Sequence, residues 1–515
     1  MRLKKQKPFE RGAGILLPVS SLMSPYGIGS LGREAWRFVE FLVKSGQRYW
    51  QVLPLGPTGY GDSPYQSFSA FAGNPYFIDL ESMIDDGLLT LEEVEIPSWG
   101  EDPGRVDYVS IFKERYALLG LAFARSHHRK TDEYRQFLSD NAFWLEDYSL
   151  YMAIKSNLNW KSWEKWPEGL RLRDSKYLAD ACEDLAAEID FWRFCQYKFF
   201  SQWNALKSYA NELGVEIIGD IPIYMAYDSA DVWANSSLFQ LNANKRQTAV
   251  AGVPPDLFSS TGQRWGNPLY DWKYMEEDDF LWWRQRMRHI AQLYDTVRID
   301  HFIGIVNYYS ISVEQETAEG GKWENGPAER LISAIEESME GGKIIAEDLG
   351  VVTENVTKLR ERAGYPGMKL MKFAFEDGPG SDFLPCHFEK NTVAYAGTHD
   401  NETLVGYFSH QSRKTLRFAR DYLGVKTNQE IPWAVMRAGY ESSADTVIYQ
   451  MQDLLGLGNE ARTNLPSSMG GNWQWRLLPG QLTEELAERL MHFSNIYDRL
   501  PKKQDALKSI KHDSR

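Results

Sequence analysis

The sequence predicts a (β/α)8 barrel, and three observations support this fold class. Short apolar runs that end in polar residues recur about eight times along the 515 residues, and runs of this length are typical of buried parallel strands. Helical patterns such as 326–340 and 353–363 separate several of these runs, which indicates a parallel sheet. No long linker and no repeat of 20–50 residues divides the chain, which favours one closed barrel.

The eight candidate strands follow one another with spacings that leave room for crossover helices. They are 14–20, 49–55, 215–221, 296–301, 342–348, 368–374, 392–400 and 452–457. An open, doubly wound sheet is the alternative arrangement of the same pattern. Neither GxGxxG nor GxxxxGK[ST] follows any of these runs, which makes a nucleotide-binding fold a poorer interpretation.

Two stretches are too long for a minimal barrel, and we interpret both as insertions on barrel loops. Residues 81–210 have a mostly helical, charged and Trp-rich pattern, whereas residues 225–290 are predicted to be irregular and to form a cleft. A helix predicted over 481–498 fills much of the remaining tail, so we expect no C-terminal β-sandwich. Residues 1–515 are therefore predicted to form a single catalytic barrel domain.

Composition restricts the class of partner. The net charge of -14 would repel nucleic acids and anionic membranes, so we expect neither as a partner. Because the chain contains neither a signal-like apolar segment nor an apolar run of 18 residues, we predict a cytoplasmic protein. Cys182, Cys195 and Cys386 are irregularly spaced, which indicates reduced thiols rather than a disulfide framework or a zinc cluster. Aromatic residues make up 14%, often beside Asn, Gln or Gly, which suits a sugar ligand.

Acidic residues stand where candidate strands end. Asp220, Asp300, Glu347 and Asp400 each close a different apolar run, and barrel enzymes place their chemistry at the carboxyl ends of strands. Ending a buried strand in a charge costs desolvation free energy. One such acid is best explained as a helix cap or half of an ion pair, but four on different strands indicate a shared site.

Two of these acids have surroundings that predict opposite protonation states. Arg298 lies two residues before Asp300, so both side chains share one face and the guanidinium lowers the pKa of Asp300, as a nucleophile requires. Glu347 follows an Ile-Ile-Ala run that raises its pKa, as a general acid requires. A structural Arg298–Asp300 ion pair is the alternative for the first acid. Asp348 is an alternative to Glu347, and spacing alone does not choose between them.

One ionised and one protonated carboxyl form the pair that cleaves glycosidic bonds with retention. Such a mechanism predicts carboxyl groups about 5–5.5 Å apart. His399, beside Asp400, is suited to hydrogen bonds with sugar hydroxyls. The same region also contains a possible ligand set for a divalent cation, which would make the protein a metal-dependent isomerase or hydrolase. That set is Asp300, His301, Glu347, Asp348, His399 and Asp400.

Three segments at these positions resemble signature regions of the α-amylase clan, namely 298–301, 347–350 and 398–401. Further segments resemble the 4-α-glucanotransferases, or amylomaltases, of glycoside hydrolase family 77 within that clan. They are 12–18, 24–29, 51–57, 63–67, 219–224, 251–256, 263–268 and 470–473. The resemblance extends from about residue 11 to about residue 495.

The resemblance implies a role for each residue that matches the family's motifs. Asp300 would be the nucleophile, Glu347 the acid/base in preference to Asp348, and Asp400 the transition-state stabiliser. Residues implied to bind substrate are Arg298, His399, Asp220, Tyr65, Gln263, Trp265, Asn267 and Asn472. The family requires no metal and no organic cofactor for this chemistry.

The leading hypothesis is therefore a retaining 4-α-glucanotransferase. It would transfer a segment of an α-1,4-glucan donor to the 4-hydroxyl of glucose or a maltooligosaccharide. A hydrolase of the same clan is the main alternative, because the outcome depends on whether loops such as 250–272 exclude water. A metal-dependent barrel enzyme and a non-catalytic glucan-binding protein are the remaining alternatives.

Overall fold

The computed structural model describes residues 3–59, 61–255, 259–468 and 470–501. Within them, twelve strands are numbered in chain order. They are β1 (Gly12–Leu16), β2 (Tyr49–Gln51), β3 (Glu216–Pro222), β4 (Ala249–Val253), β5 (Gln263–Pro268), β6 (Thr296–Asp300), β7 (Asn307–Ser312), β8 (Lys322–Asn325), β9 (Lys343–Ala346), β10 (Gly367–Leu370), β11 (Thr392–Tyr395) and β12 (Thr446–Gln450).

Eight of these strands form the predicted parallel barrel. Their order is β10-β11-β12-β1-β2-β3-β6-β9, and every neighbouring pair is parallel. The two ends of this series meet where the Ala346 N–H donates to the Pro366 carbonyl at 3.1 Å, beside β9 and β10. The sheet thus approaches closure, and the (β/α)8 fold class is confirmed.

The eighth predicted strand, 452–457, is wrong. The last barrel strand is β12, which precedes that segment, and residues Met451–Leu454 form a short helix instead. The residues of β12 are mostly β-branched or aromatic and all are buried, as strand formation favours. The apolar character of 452–457 reflects burial of residues such as Leu454 rather than an extended backbone.

The described residues form nineteen α-helices, numbered in chain order. They are α1 (Arg33–Lys44), α2 (Leu80–Asp85), α3 (Leu91–Glu95), α4 (Tyr108–Arg125), α5 (Asp132–Asn157), α6 (Glu168–Leu172), α7 (Ser175–Asp184), α8 (Ala186–Glu212), α9 (Ala230–Ala234), α10 (Trp272–Glu277), α11 (Leu281–Leu293), α12 (Ile303–Val306), α13 (Glu329–Ser338), α14 (Glu354–Ala363), α15 (Leu404–Ser409), α16 (Arg413–Leu423), α17 (Ile431–Glu441), α18 (Met451–Leu454) and α19 (Glu484–Ile496). None of them is long and apolar enough to cross a membrane.

Much of the secondary structure outside the barrel lies in the long connections between barrel strands. Helices α2 to α8 lie between β2 and β3, where the sequence predicts a helical insertion. The segment 225–290, expected to be irregular, instead contains α9, α10, most of α11, and strands β4 and β5. These strands join β7 and β8 in an antiparallel sheet of order β5-β4-β7-β8. Asp256, which ends the segment 251–256, lies outside the described residues.

The register of β3 against β6 positions the site. Asp220 is paired with Arg298, and Pro222 with Asp300, so the ends of these two strands lie side by side. Gly219 on β3 lets the ring of Tyr294 pack closely against this strand, because a Cβ there would lie 2.2 Å from that ring. The carboxyl end of the barrel therefore brings residues together that are 78 positions apart in sequence.

Candidate active site

Arg298 lies at the centre of the site and contacts two of the predicted carboxylates. Its Nη1 donates to both carboxylate oxygens of Asp220, at 2.8 and 2.7 Å, and its Nη2 lies 2.7 Å from Oδ1 of Asp300. The side chain of Asp220 is fully buried and that of Arg298 nearly so, whereas 31% of the Asp300 side chain is exposed. A buried charge pair holds the guanidinium in place, and Asp300 is the member that a ligand can reach.

Asp220 is buried within this network, and its role there is to hold neighbouring groups. Burial raises the pKa of Asp220 to about 6, although the charge of Arg298 opposes the increase. The Tyr65 hydroxyl donates to Oδ2 of Asp220 at 3.0 Å. Asp220 therefore fixes both Arg298 and Tyr65.

We expect Asp220→Ala to lower the free energy of unfolding by about 3–5 kcal/mol, because it leaves the Arg298 guanidinium buried with half of its pairing removed. Urea unfolding at pH 7 measures this change. Tyr65→Phe is the matched control, since it removes one hydrogen bond to the same carboxylate at a cost of about 1 kcal/mol. An Asp220→Ala variant as stable as Tyr65→Phe would contradict the structural importance of this pair.

Glu347 directly follows β9 and is held by backbone donors. Its Oε2 accepts from the His301 N–H at 2.7 Å, and its Oε1 accepts from the Leu349 N–H at 3.0 Å. Burial raises the pKa of Glu347 to about 8, and the nearby Asp300 charge contributes, whereas Arg298 and the two N–H groups oppose the shift. Only 7% of the residue is exposed, and the raised pKa favours the protonated form of Glu347 at neutral pH.

Asp348 makes contacts of a different kind. Its Oδ1 accepts from the Met368 N–H at 2.8 Å, and its Oδ2 lies 3.1 Å from Nε of Arg360. These contacts connect the end of β9 to β10 and α14. The geometry therefore favours Glu347 as the member of this pair that acts at the site, with Asp348 in a structural position.

Asp400 is oriented from three directions. Nε2 of His399 lies 3.3 Å from its Oδ2, Nδ2 of Asn464 donates to its Oδ1 at 2.5 Å, and Nη2 of Arg462 donates to its carbonyl at 2.7 Å. Burial alone would raise the pKa of Asp400, but His399, with Asn464, lowers it well below its usual range. The same pairing raises the pKa of His399 against the effect of burial. Asp400 is thus held as an anion.

Arg462 and Asn464 are site residues that the sequence did not predict. They lie on the loop after α18, more than 60 positions from Asp400, and no strand ends directly before them. The strand-end signal that identifies the four acids is therefore absent at these positions.

Aromatic side chains pack beside the charged residues of the site. The Tyr65 ring stacks on His399 with centroids 5.1 Å apart and planes 14° apart, and Trp473 lies 5.8 Å from His399. On β5, the Trp265 Nε1 donates to Oε1 of Gln263 at 3.1 Å, and its ring meets the His301 ring edge-on at 4.9 Å. The structure thus brings Trp265, with Gln263, against His301, the residue that follows Asp300 at the end of β6.

Asn267 and Asn472 are engaged with protein groups. The buried Asn267 donates from Nδ2 to the Met225 carbonyl at 2.9 Å and accepts from Gln66 at 3.1 Å. Oδ1 of Asn472 accepts from the Leu465 N–H at 2.9 Å, and its Nδ2 donates to Ser468, which closes the turn before Trp473. Both side chains hold loops around the site.

The acids of the site and His399 are paired with protein groups rather than arranged around a common point, whereas Nε2 of His301 is buried without a hydrogen-bond partner among the described residues. Across residues 3–59, 61–255, 259–468 and 470–501, no group of three or more His, Cys, Asp or Glu side chains is arranged to hold a metal ion. His399 contacts Asp400, and Asp348 contacts Arg360. The proposed ligand set of six residues does not converge.

Comparison with known protein families gives a consistent result. A family model described as 4-alpha-glucanotransferase matches residues 17–482. The 4-alpha-glucanotransferase of Thermus thermophilus is 46% identical over 501 residues, covering 95% of this chain and 99% of that protein. The 4-alpha-glucanotransferase of Clostridium butyricum is 45% identical over 483 residues, covering 93% of this chain and 99% of that protein.

Solved structures show the same similarity. Amylomaltase from Streptococcus agalactiae, solved with acarbose, superposes with a TM-score of 0.92 at 40% identity, covering 95% of this chain and 100% of that chain. Amylomaltase from Corynebacterium glutamicum superposes with a TM-score of 0.77 at 16% identity, covering 96% of this chain and 75% of that chain. The second likeness concerns the fold alone.

Proposed function

Because the chain belongs to the 4-alpha-glucanotransferase family, we propose that its strand-end carboxylates transfer a segment of an α-1,4-glucan to the 4-hydroxyl of an acceptor. The donors are α-1,4-glucans, and the acceptors are glucose or maltooligosaccharides. The observation that carries the residue roles is the contrast between two acids. Glu347 is buried with a pKa raised to about 8, whereas Asp300 is partly exposed beside the Arg298 guanidinium.

The first chemical step uses both acids at once. A carboxylate oxygen of Asp300 attacks the anomeric carbon, while Glu347 gives its proton to the departing glycosidic oxygen. The bond to the leaving glucan breaks, a glycosyl ester on Asp300 forms, and Glu347 becomes a carboxylate. Arg298, fixed by Asp220, holds the attacking oxygen in place.

The second step reverses the roles. The Glu347 carboxylate takes the proton from the acceptor's 4-hydroxyl, whose oxygen attacks the anomeric carbon and releases Asp300. One glycosidic bond is broken and one is formed, with retention of configuration. Water in place of the acceptor would give hydrolysis, so the loops that cover the site decide between transfer and hydrolysis.

The remaining site residues bind and orient the sugar. The Asp400 anion, with His399, is placed to stabilise the positive charge that develops on the sugar ring. Tyr65 and Trp265 offer ring faces, and Gln263 offers an amide, to the glucan in the cleft. We assign Asn267 and Asn472 a positioning role for the loops that carry Gln66 and Trp473, because their amides are engaged by protein groups.

We further infer that residues 1–515 act as one catalytic domain. A continuous cluster of buried apolar residues supports this, because it joins barrel residues such as Ile15 to insertion residues such as Leu119 and Tyr151 and to Leu490 of α19. We also propose, from the sequence, that the protein is cytoplasmic. The support for this location is that Cys182, Cys195 and Cys386 are free cysteines, as a reducing compartment favours.

Incubation with maltotriose tests this function. We expect glucose together with a ladder of longer maltodextrins, because each transfer releases glucose or maltose and lengthens another chain. Separation of the products by size over time, with and without a chelator, measures the outcome. Glucose and maltose without longer species would identify the hydrolase alternative, and loss of activity with chelator would favour a metal-dependent enzyme.

A further inference from the structure

A second groove lies on the outside of the barrel, between α5, α8 and α11. It has a volume of about 1020 Å³, at the upper end of the range of roughly 300–1,000 Å³ that is usual for small-molecule sites. None of the residues that line it belongs to the site around Asp300. The proposed mechanism therefore leaves this groove without a role.

The floor of the groove is aromatic. Phe137, Phe143, Tyr197 and Phe200 line it, and 46% of Phe143 is exposed. The Phe143 ring packs edge-on against Phe71, with centroids 5.4 Å apart and planes 89° apart, which restricts its orientation. A large ring that is both exposed and held in place is suited to a ligand with apolar faces.

The walls of the groove carry hydrogen-bonding side chains. The side chains of Ser201 and Asn204 on α8, and of Gln285 and Gln292 on α11, make no hydrogen bond to any other residue that the structure describes. Gln136, by contrast, is paired with Asp140 at 2.6 Å. Free amides and hydroxyls above an aromatic floor match the alternating C–H faces and hydroxyls of a glucose unit.

The charges around the groove favour a neutral ligand. Its rim carries the acids Glu133 and Asp140 and the base Arg288, and the lining His289 is buried with its Nε2 bonded to the Phe71 carbonyl at 2.8 Å. This nearly balanced set repels polyanions such as phosphorylated ligands more than it attracts them. An uncharged polyol meets no such penalty.

We propose that this groove is a second binding site for an α-1,4-glucan chain, separate from the site that carries the chemistry. The class of ligand rests on the proposed function. A glucan chain that is held here raises the effective concentration of its other segments near the same molecule. The benefit is expected for long glucans and is absent for maltotriose, which is too short to engage both sites.

Calorimetric titration of maltoheptaose into an Asp300→Asn background measures the number of binding events without turnover. Adding Phe143→Ala and Gln285→Ala removes a ring and an amide from the groove. We expect the affinity of the groove for maltoheptaose to become at least about tenfold weaker, so that the titration detects one binding event fewer per chain. Ser201→Trp, which fills the groove from an exposed position on α8, is expected to have the same effect. Tyr177→Ala is the matched control, because Tyr177 is an exposed ring on α7 outside the groove.

The turnover assays separate this proposal from the proposed function. In the active chain, which keeps Asp300, the Phe143→Ala/Gln285→Ala variant is expected to disproportionate maltotriose at the parent's rate. We expect the same variant to use long amylose less efficiently. An unchanged number of binding events in both groove variants, or an equal loss in Tyr177→Ala, would overturn the glucan groove. Failure of the parent chain to lengthen maltotriose would instead refute the transferase function, and the titration would still report on the groove.

Discussion

Asp300→Asn is expected to lower the rate of glucan transfer by roughly 10⁴–10⁶-fold, because an amide cannot form the glycosyl ester that the double displacement requires. The fold should be retained. Asparagine has the same shape, and its side-chain oxygen can still accept from Nη2 of Arg298, which lies 2.7 Å from Oδ1 of Asp300. Arg298 also keeps both of its bonds to the buried Asp220.

Product formation from maltotriose measures this effect, and thermal unfolding verifies that the variant is folded. Asp348→Asn is the matched control, because Asp348 is a neighbouring, partly buried acid that contacts Arg360 and the Met368 N–H instead of the site. We expect the control to lose stability while its turnover remains within about tenfold of the parent's. An Asp300→Asn variant that retains a tenth of the parent's rate would rule out Asp300 as the nucleophile.

The barrel was largely predictable from the sequence because its strands are short, apolar and bounded by turn residues. Seven of the predicted runs contain or overlap barrel strands, and the helices over 329–338 and 354–363 fall where the periodicity places them. The eighth strand was misplaced because the buried helix α18 and the loop after it resemble a strand in composition. Periodicity alone does not separate a short buried helix from a short buried strand.

The sequence alone predicted the site residues that lie at the ends of strands, but not the contacts that those residues make. Asp220, Arg298, Asp300 and Glu347 lie at the carboxyl ends of parallel strands, which meet at one face of the barrel. The preference for Glu347 over Asp348 depends on which N–H groups and guanidinium each one meets, and those partners come from distant elements. Asn464 contacts Asp400 across a loop, and Asn267 and Asn472 contact protein groups instead of open space, so tertiary structure alone reveals these roles.

The environment of Glu347 predicts how activity depends on pH. Because burial and the Asp300 charge raise the pKa of Glu347 to about 8, the acid form that donates the proton is lost as the pH rises through this value. We expect kcat/KM to fall on the basic side with an apparent pKa near 8, which belongs to the coupled Asp300–Glu347 pair. A profile that stays flat from pH 6 to pH 9.5 would show that the proton comes from another group.

The same raised pKa affects stability. The folded pKa of about 8 lies above the ordinary value of 4.5, so between these values the folded protein holds a proton that the unfolded chain releases. The stability contributed by this group therefore falls as the pH rises through that window. Glu347→Gln, which cannot ionise, is expected to gain stability relative to the parent at pH 8 and to lose this advantage near pH 4.5. Unfolding midpoints at the two pH values measure the difference.

Glu347→Gln is also expected to lower transfer from maltotriose by about 10²–10⁴-fold and to abolish the basic side of the pH profile, because an amide donates no proton to the leaving oxygen. A maltosyl fluoride separates this role from a structural one. Fluoride leaves without a proton, so the Asp300 ester should still form, with a burst of about one fluoride per molecule of enzyme. If the variant releases no such burst, Glu347 is needed to position the substrate rather than to protonate it, and the acid/base role would pass to another residue. A burst followed by slow turnover would instead show that Glu347 supplies the proton that the reaction uses. Burial in the folded protein is then what keeps this proton on Glu347.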